Sequence, residues 1–258
     1  MTDFPARTFR VLLEYDGTHF NGWQVQPGDT RTVQGEIESA LRRIFQKKIR
    51  LYGSGRTDSG VHARGQTAHF QVKTGMSCNN LVRAINGNLP EDAAVLTIQE
   101  AADGFHAQYS AKRKTYSYTI CNRPEPPVLQ RHFCLHVPVH LNAAVMAREA
   151  AVLIGRHDFR SFMAADPAFR KTGREKDAIR WIYDITVRRN KEMIVISVTA
   201  NGFLYKMVRN IVGTLLAAGA GRIPEGSMKK ILRSQDRSRA GDTAPPHGLC
   251  LERVEYGC

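Results

Sequence analysis

The segment GSGRTDSGVHARGQ, Gly53 to Gln66, constrains this chain more than any other stretch. Four glycines stand among polar and charged residues, between two segments, 49–52 and 66–73, that read as strands. Glycine lets a backbone take positive φ and lets another molecule approach closely, so the segment reads as a shaped loop at a sheet edge rather than a linker. A rigid sheet can fix such a loop, which suits it to chemistry. Asp58 is its only carboxylate, and Arg56 precedes it by two residues. Neither common phosphate cradle fits. A P-loop needs Lys and then Ser or Thr after its last glycine, whereas Val61 and His62 follow Gly60; the dinucleotide fingerprint needs glycine where Asp58 stands.

Either side of the loop, periodicity alternates between strand and helix. Phe9, Val11, Leu13 and Tyr15 predict a strand over 8–15 with one buried face. A helix begins at Thr32, with Val33, Ile37, Leu41, Ile44 and Phe45 at helical spacing and Arg42, Arg43, Lys47 and Lys48 elsewhere. A short helix around Leu81, Val82 and Ile85 stops near Gly87, and 93–99 reads as a strand. This gives a β, α, β, β, α, β order by about residue 100. Beyond it, TYSYTIC puts Tyr116, Tyr118 and Ile120 on one strand face. A proline-rich loop, a helix over 142–154 ended by Gly155 and a long exposed loop to Lys176 follow. Next comes a hairpin, with Trp181, Tyr183, Ile185 and Val187 alternating out and Ile194, Ile196 and Val198 alternating back. A helix from Phe203 to about Ala218, a short helix around Met228 to Leu232 and a last strand, LCLERVEY, close the chain. The second half echoes the first loosely, with no repeat strong enough to prove duplication.

The formal charge is +13, from 37 Lys and Arg against 24 Asp and Glu, spread along the whole length. That makes nucleic acid the first candidate partner, with a merely basic soluble protein as the alternative. The five cysteines, at 78, 121, 134, 250 and 258, form no CxxC pair and no even-numbered framework, which reads as reduced cytosolic thiols. MTDFPARTFR lacks the apolar core of a signal peptide, and the most apolar stretch, 202–220, is interrupted by Lys206 and Arg209. A soluble, cytoplasmic protein is expected.

Arg209 stands in KMVRNIVGTLL, on a helix the second half should bury. A guanidinium cannot lose its proton, so in a dry place it needs an anion. Asp58 is the economical candidate; snorkelling to solvent is the alternative. Phe20, Trp23 and Tyr116 are either core aromatics or a platform for a nucleobase taken from its stack. Arg56 could contact phosphate or fill the space that base leaves. His132, Cys134, His136 and His140 invite a test as metal ligands, but Pro138 disfavours the helix that would gather the histidines, so no metal site is expected.

Seven stretches then stand out together: YDGTHFNGWQVQP, VQGEIESAL, GSGRTDSGVHARGQ, FHAQYSAKRKTYSY, HDFRSF, NGFLYKMVRNIVGTLL and APPHGLCLERVEY. In order and spacing the chain resembles the tRNA pseudouridine synthase A family from end to end. Ser59, where the family commonly has alanine, is a small departure. The resemblance implies an α+β fold of two similar halves, 1–105 and 106–258, around a continuous, mostly antiparallel sheet flanked by helices, with the cleft between them. It implies Asp58 as catalytic aspartate, Arg209 as its ion-pair partner, Arg56 in base extrusion, Tyr116 against the uracil, and Leu249 packed in the pocket. It further implies tRNA as substrate, uridines 38, 39 and 40 of the anticodon stem-loop as targets, and a homodimer.

The residues fit that chemistry. Isomerising uridine cuts the N1 glycosidic bond, turns the uracil, makes a C5 glycosidic bond and removes the C5 proton. Nothing is oxidised or added, so one carboxylate suffices, attacking C6 of the ring or C1′ of the sugar, and no cofactor is required. Two rivals remain: an RNA-binding protein without chemistry, in which a lone acid facing phosphate is hard to justify, and an aspartyl-nucleophile enzyme acting on a phosphorylated metabolite, which would be insensitive to salt.

Overall fold

Phe9, Val11, Leu13 and Tyr15 do bury one face of a strand, and the rest of their unit is built on it. The computed structural model describes residues 4–28, 30–165 and 177–257. Contacts divide the chain into Met1–Lys112 with Cys250–Cys258, and Arg113–Leu249. The break falls a few residues beyond 105, and the C-terminal strand folds with the first unit rather than the second.

In the first unit, β1 (Ala6–Tyr15), α1 (Val33–Phe45), β2 (Tyr52–Gly53), β3 (His62–Lys73), α2 (Cys78–Asn86) and β4 (Ala93–Glu100) follow the expected order. β1 is central, antiparallel to β3 and to β4, with Phe9 opposite Phe70 and Val11 opposite Ala68. Thr32 caps α1 by accepting the Gly35 N–H, and Ser77 caps α2 by accepting that of Asn80. Ile37, Leu41, Leu81 and Ile85 on these helices are buried, as their spacing requires.

In the second unit, β5 (Ala111–Cys121), β6 (Leu135–His136), α3 (Ala143–Ala151), β7 (Gly155–Asp158), β8 (Ile179–Asn190), β9 (Met193–Ala200), α4 (Met207–Gly219) and α5 (Ser227–Ser234) come in turn. Strands β5, β9, β8 and β7 lie side by side, all antiparallel, and β6 adds a parallel pair to β5. From Cys250 onward, β10 (Leu249–Tyr256) returns to the first unit, with Cys250 opposite His62 in a parallel pair on β3. The fold is α+β with mostly antiparallel sheet. No helix among the described residues is long and apolar enough to cross a membrane.

Five elements differ from the sequence expectation. β3 starts at His62, four residues before Gln66, and β2 has only two residues, so the glycine loop is tighter than expected. β7 occupies the polar GRHD, where a loop is predicted; the expected loop beyond Ala165, up to Lys176, lies outside the described residues. A bulge in β8 between Ile182 and Asp184 switches the strand's faces, so Ile182 and Ile185 are buried while Trp181 is half exposed. α4 starts at Met207 rather than Phe203, because Lys206 takes left-handed backbone (φ 57) at its N-cap.

Every α4 residue except Arg209 is buried, so the helix is enclosed on nearly all sides. Gly213 makes this possible, since a Cβ there would collide with the Asp242 carbonyl. Gly213→Ala should therefore destabilise the protein by about 1–3 kcal/mol, as overpacking does despite alanine's better helix propensity. Thermal unfolding of the two proteins checks this.

Candidate active site

The glycine loop between β2 and β3 is fastened from beneath by side chains of its own unit. The Tyr15 hydroxyl, at the end of β1, shares a 2.8 Å hydrogen bond with the Thr57 hydroxyl, one residue before Asp58. Gln66 Nε2 donates to the Gly55 carbonyl at 3.1 Å and reaches Tyr15 Oη at 3.5 Å, while Ser54 Oγ donates to Gln66 Oε1 at 2.7 Å. These side chains are buried. Burial pushes the Tyr15 phenol well above its usual range, so it stays protonated and available as a donor.

The segment following β1 clamps the loop from a second side. Trp23 N–H donates to the Thr57 carbonyl at 3.1 Å, and the Phe20 carbonyl accepts from Gly60 N–H at 3.4 Å and from Ser59 Oγ at 3.2 Å. Val61 N–H closes the turn on the Asp58 carbonyl at 3.2 Å. Gly22 is required here. Its φ is +85°, and a Cβ would lie 2.7 Å from the Thr57 carbonyl oxygen. Phe20 and Trp23 are buried supports, so their core reading prevails over a nucleobase platform. The Trp23 indole lies so close to Gly53 that a Cβ there would sit 2.5 Å from the ring. Asp58 itself is half-buried and Arg56 is exposed, both on the rim of this fastened turn. Ser59, the departure from the family pattern, adds one hydrogen bond to the clamp.

Tyr116, Arg209 and Leu249 belong to the second unit. Tyr116 is opposite Val198 on β5 and buried, with Phe203 edge-on at 5.2 Å and 90°. Phe203 lies in the non-helical stretch before α4. Arg209 is half-buried on α4, and its Nε donates to the Ala244 carbonyl at 2.7 Å while Ala244 N–H returns a bond to the Arg209 carbonyl at 3.1 Å. Tyr118 donates to the neighbouring Pro245 carbonyl at 2.8 Å; burial raises its phenol and the Arg209 charge partly offsets that. Segment 244–245 thus holds one edge of the guanidinium. Leu249 is buried at the start of β10. His136 Nε2 lies 2.9 Å from the Arg123 carbonyl, and among the described residues no group of three His, Cys, Asp or Glu is placed to hold a metal ion.

The family model described as tRNA pseudouridine synthase matches residues 12–110 and 150–257. The chain belongs to the tRNA pseudouridine synthase family. It is 42% identical over 250 residues to a protein named tRNA pseudouridine synthase A from Thermoanaerobacter sp. (strain X514), covering 97% of this chain and 100% of that one. It is 45% identical over 249 residues to the protein of that name from Bacillus subtilis (strain 168), covering 96% and 98%. A chain from a Cbf5-Nop10-Gar1 complex aligns over 94% of this chain and 57% of its own, with TM-score 0.35 and 11% identity, too slight a likeness to bear on the site.

Sequence reasoning about this pseudouridine synthase missed Tyr15, Thr57 and Gln66, because nothing in periodicity marks a buried polar residue as a support. It also missed Lys114, two residues before Tyr116 on the same face of β5. Burial, and then the charge of Arg180, pull the Lys114 ammonium down to about 8. Its folded value therefore lies below the unfolded 10.5, so the penalty for burying the charge is full below about pH 8 and is relieved as pH rises toward 10.5. Stability should gain from this group over that window. Carbon NMR of the reductively methylated protein should show one lysine titrating near pH 8 and missing from Lys114→Met, which should also lack that rise in stability.

Proposed function

We propose that this chain converts uridine to pseudouridine at positions 38, 39 and 40 of the tRNA anticodon stem-loop, with Asp58 as nucleophile. Isomerisation of tRNA uridine is the activity that its full-length relatives carry in their names. The observation that carries the residue-level reading is the fastened turn: a half-buried carboxylate on the rim of a loop whose neighbours are hydrogen-bonded on two sides. A non-catalytic RNA-binding role is not favoured, since a fixed acid facing phosphate would weaken binding for no gain.

The uridine leaves its stack at a cost of a few kcal/mol, less in a loop than in a paired stem, and the basic chain offsets that by binding phosphates. Arg56, exposed beside Asp58, takes the space the base vacates. Tyr116 meets the uracil ring, with Phe203 fixing its plane, and Leu249 packs the pocket. Asp58 attacks C6 or C1′, the N1–C1′ bond breaks, the uracil turns and C5 bonds to C1′; the bond to Asp58 then breaks and frees the carboxylate, the C5 proton leaves and N1 takes up a proton, so the isomerisation balances. Arg209 supplies the counter-charge that keeps Asp58 ionised and aimed. The reaction is redox-neutral and needs no cofactor. The resemblance supports a homodimer, and free thiols at Cys78, Cys121, Cys134 and Cys250 suit the cytoplasm.

Asp58→Asn keeps the shape and removes the charge. Product formation on unmodified tRNA should fall by roughly 1,000-fold or more, as loss of a nucleophile does, with tRNA affinity retained. Mass analysis of anticodon-arm fragments, after a reagent that tags pseudouridine, reads both yield and position. Unchanged modification in the variant, or tags outside 38–40 in the parent, would refute the assignment.

A further inference from the structure

A ladder of aromatic rings crosses the surface of the first unit, and the catalytic reading does not use it. Tyr52 stacks on His69 with centroids 5.1 Å apart and planes at 21°. His69 meets His106 at 4.6 Å, and His106 stacks on Tyr109 at 4.3 Å and 29°. The middle of the ladder is fixed. His69 is buried on β3, and its Nδ1 accepts the Ala107 N–H at 3.2 Å; Tyr256 pins the same turn by donating to the Ala107 carbonyl at 2.8 Å. Burial, then the neighbouring His106, hold the His69 imidazole below its usual value, so it stays neutral.

The two ends are bare. Tyr52 is 46% exposed and Tyr109 is 77% exposed, each with its ring held by a stacked imidazole. An exposed tyrosine alone is ordinary. Tyr109, stacked on an imidazole that itself meets the buried His69 ring edge-on at 63°, and with most of its own surface in water, is a preformed platform. The surroundings select its occupant. Arg50, Gln108 and Lys112, each within three residues of one of the two tyrosines in sequence, are exposed and polar, which suits a charged, hydrophilic partner better than an apolar protein face. Arg50 keeps its side chain half exposed, 4.0 Å from Glu38. Flat rings beside exposed cations match a nucleobase with its phosphate.

We propose that the Tyr109–His106–His69–Tyr52 ladder is a stacking platform for an unpaired base of the RNA substrate, apart from the uridine that reacts. It rests on tRNA being the substrate and not on any role of Asp58. The platform grips any exposed base, since every base offers a π face, and so adds affinity without sequence preference.

Tyr109 is exposed, so its variants should fold. In equilibrium binding of unmodified tRNA, Tyr109→Ala should raise Kd by about 5- to 100-fold, the scale of one lost base stack, while Tyr109→Phe stays within about twofold of the parent. The slope of log Kd against log salt should not change, because no phosphate contact is lost. A Kd for Tyr109→Ala within twofold of the parent overturns the platform. So does a changed sedimentation of the RNA-free protein with unchanged Kd, which would make the face a protein contact. Product loss in Asp58→Asn is read separately, so either inference can fail while the other stands.

Discussion

The shared hydrogen bond between the Tyr15 and Thr57 hydroxyls is the constraint on which the rest of the site depends. It ties the end of the central strand to the residue before Asp58. A turn with four glycines is entropically costly to order. What orders it is a buried polar array in which every member has a partner: Ser54 with Gln66, Gln66 with Gly55 and Tyr15, Tyr15 with Thr57. Each bond contributes about 1 kcal/mol net, but leaving one of these groups unpaired in the interior costs more than a made bond gains. The array therefore accepts one arrangement of the loop. The Gly22 clamp on the Thr57 carbonyl limits it from the other side.

The second unit uses the same logic with different material. α4 is enclosed by apolar packing, and Gly213 lets the 241–244 segment lie against it. The end of that segment and the proline after it turn back the carbonyls at 244 and 245 to hold Arg209 and Tyr118. A guanidinium on so apolar a helix is tolerable because its Nε has a fixed acceptor. The edge-on contact of Phe203 likewise fixes the plane of Tyr116, and it depends on α4 beginning late enough to leave Phe203 outside the helix.

Much of this was legible in the sequence where burial follows hydropathy. β1, α1, α2, β9 and β10 sit where their apolar periods put them, and the caps at Thr32 and Ser77 are ordinary helix starts. Hydropathy failed where polar residues are buried. His62, Gln66 and Thr67 are almost wholly enclosed, so β3 begins earlier than its apolar run suggests. Alternation failed at the β8 bulge, where one extra residue exchanges the faces of Trp181 and Ile182. The candidate site residues stand out in the sequence through glycine spacing and the family's motif order. Their supports, being ordinary Tyr, Thr and Gln, carry no mark until the fold brings them together.

The fastened turn fixes the place of Asp58, and on the proposed reading that place, rather than charge alone, makes it the nucleophile. Asp58→Glu tests this most directly, because it keeps the carboxylate and moves it by one methylene. Single-turnover conversion at saturating tRNA should fall by about 100-fold or more, as misplacement by about 1 Å does, with tRNA affinity unchanged. A variant that reacts within tenfold of the parent would contradict the account, showing that any carboxylate in the loop serves.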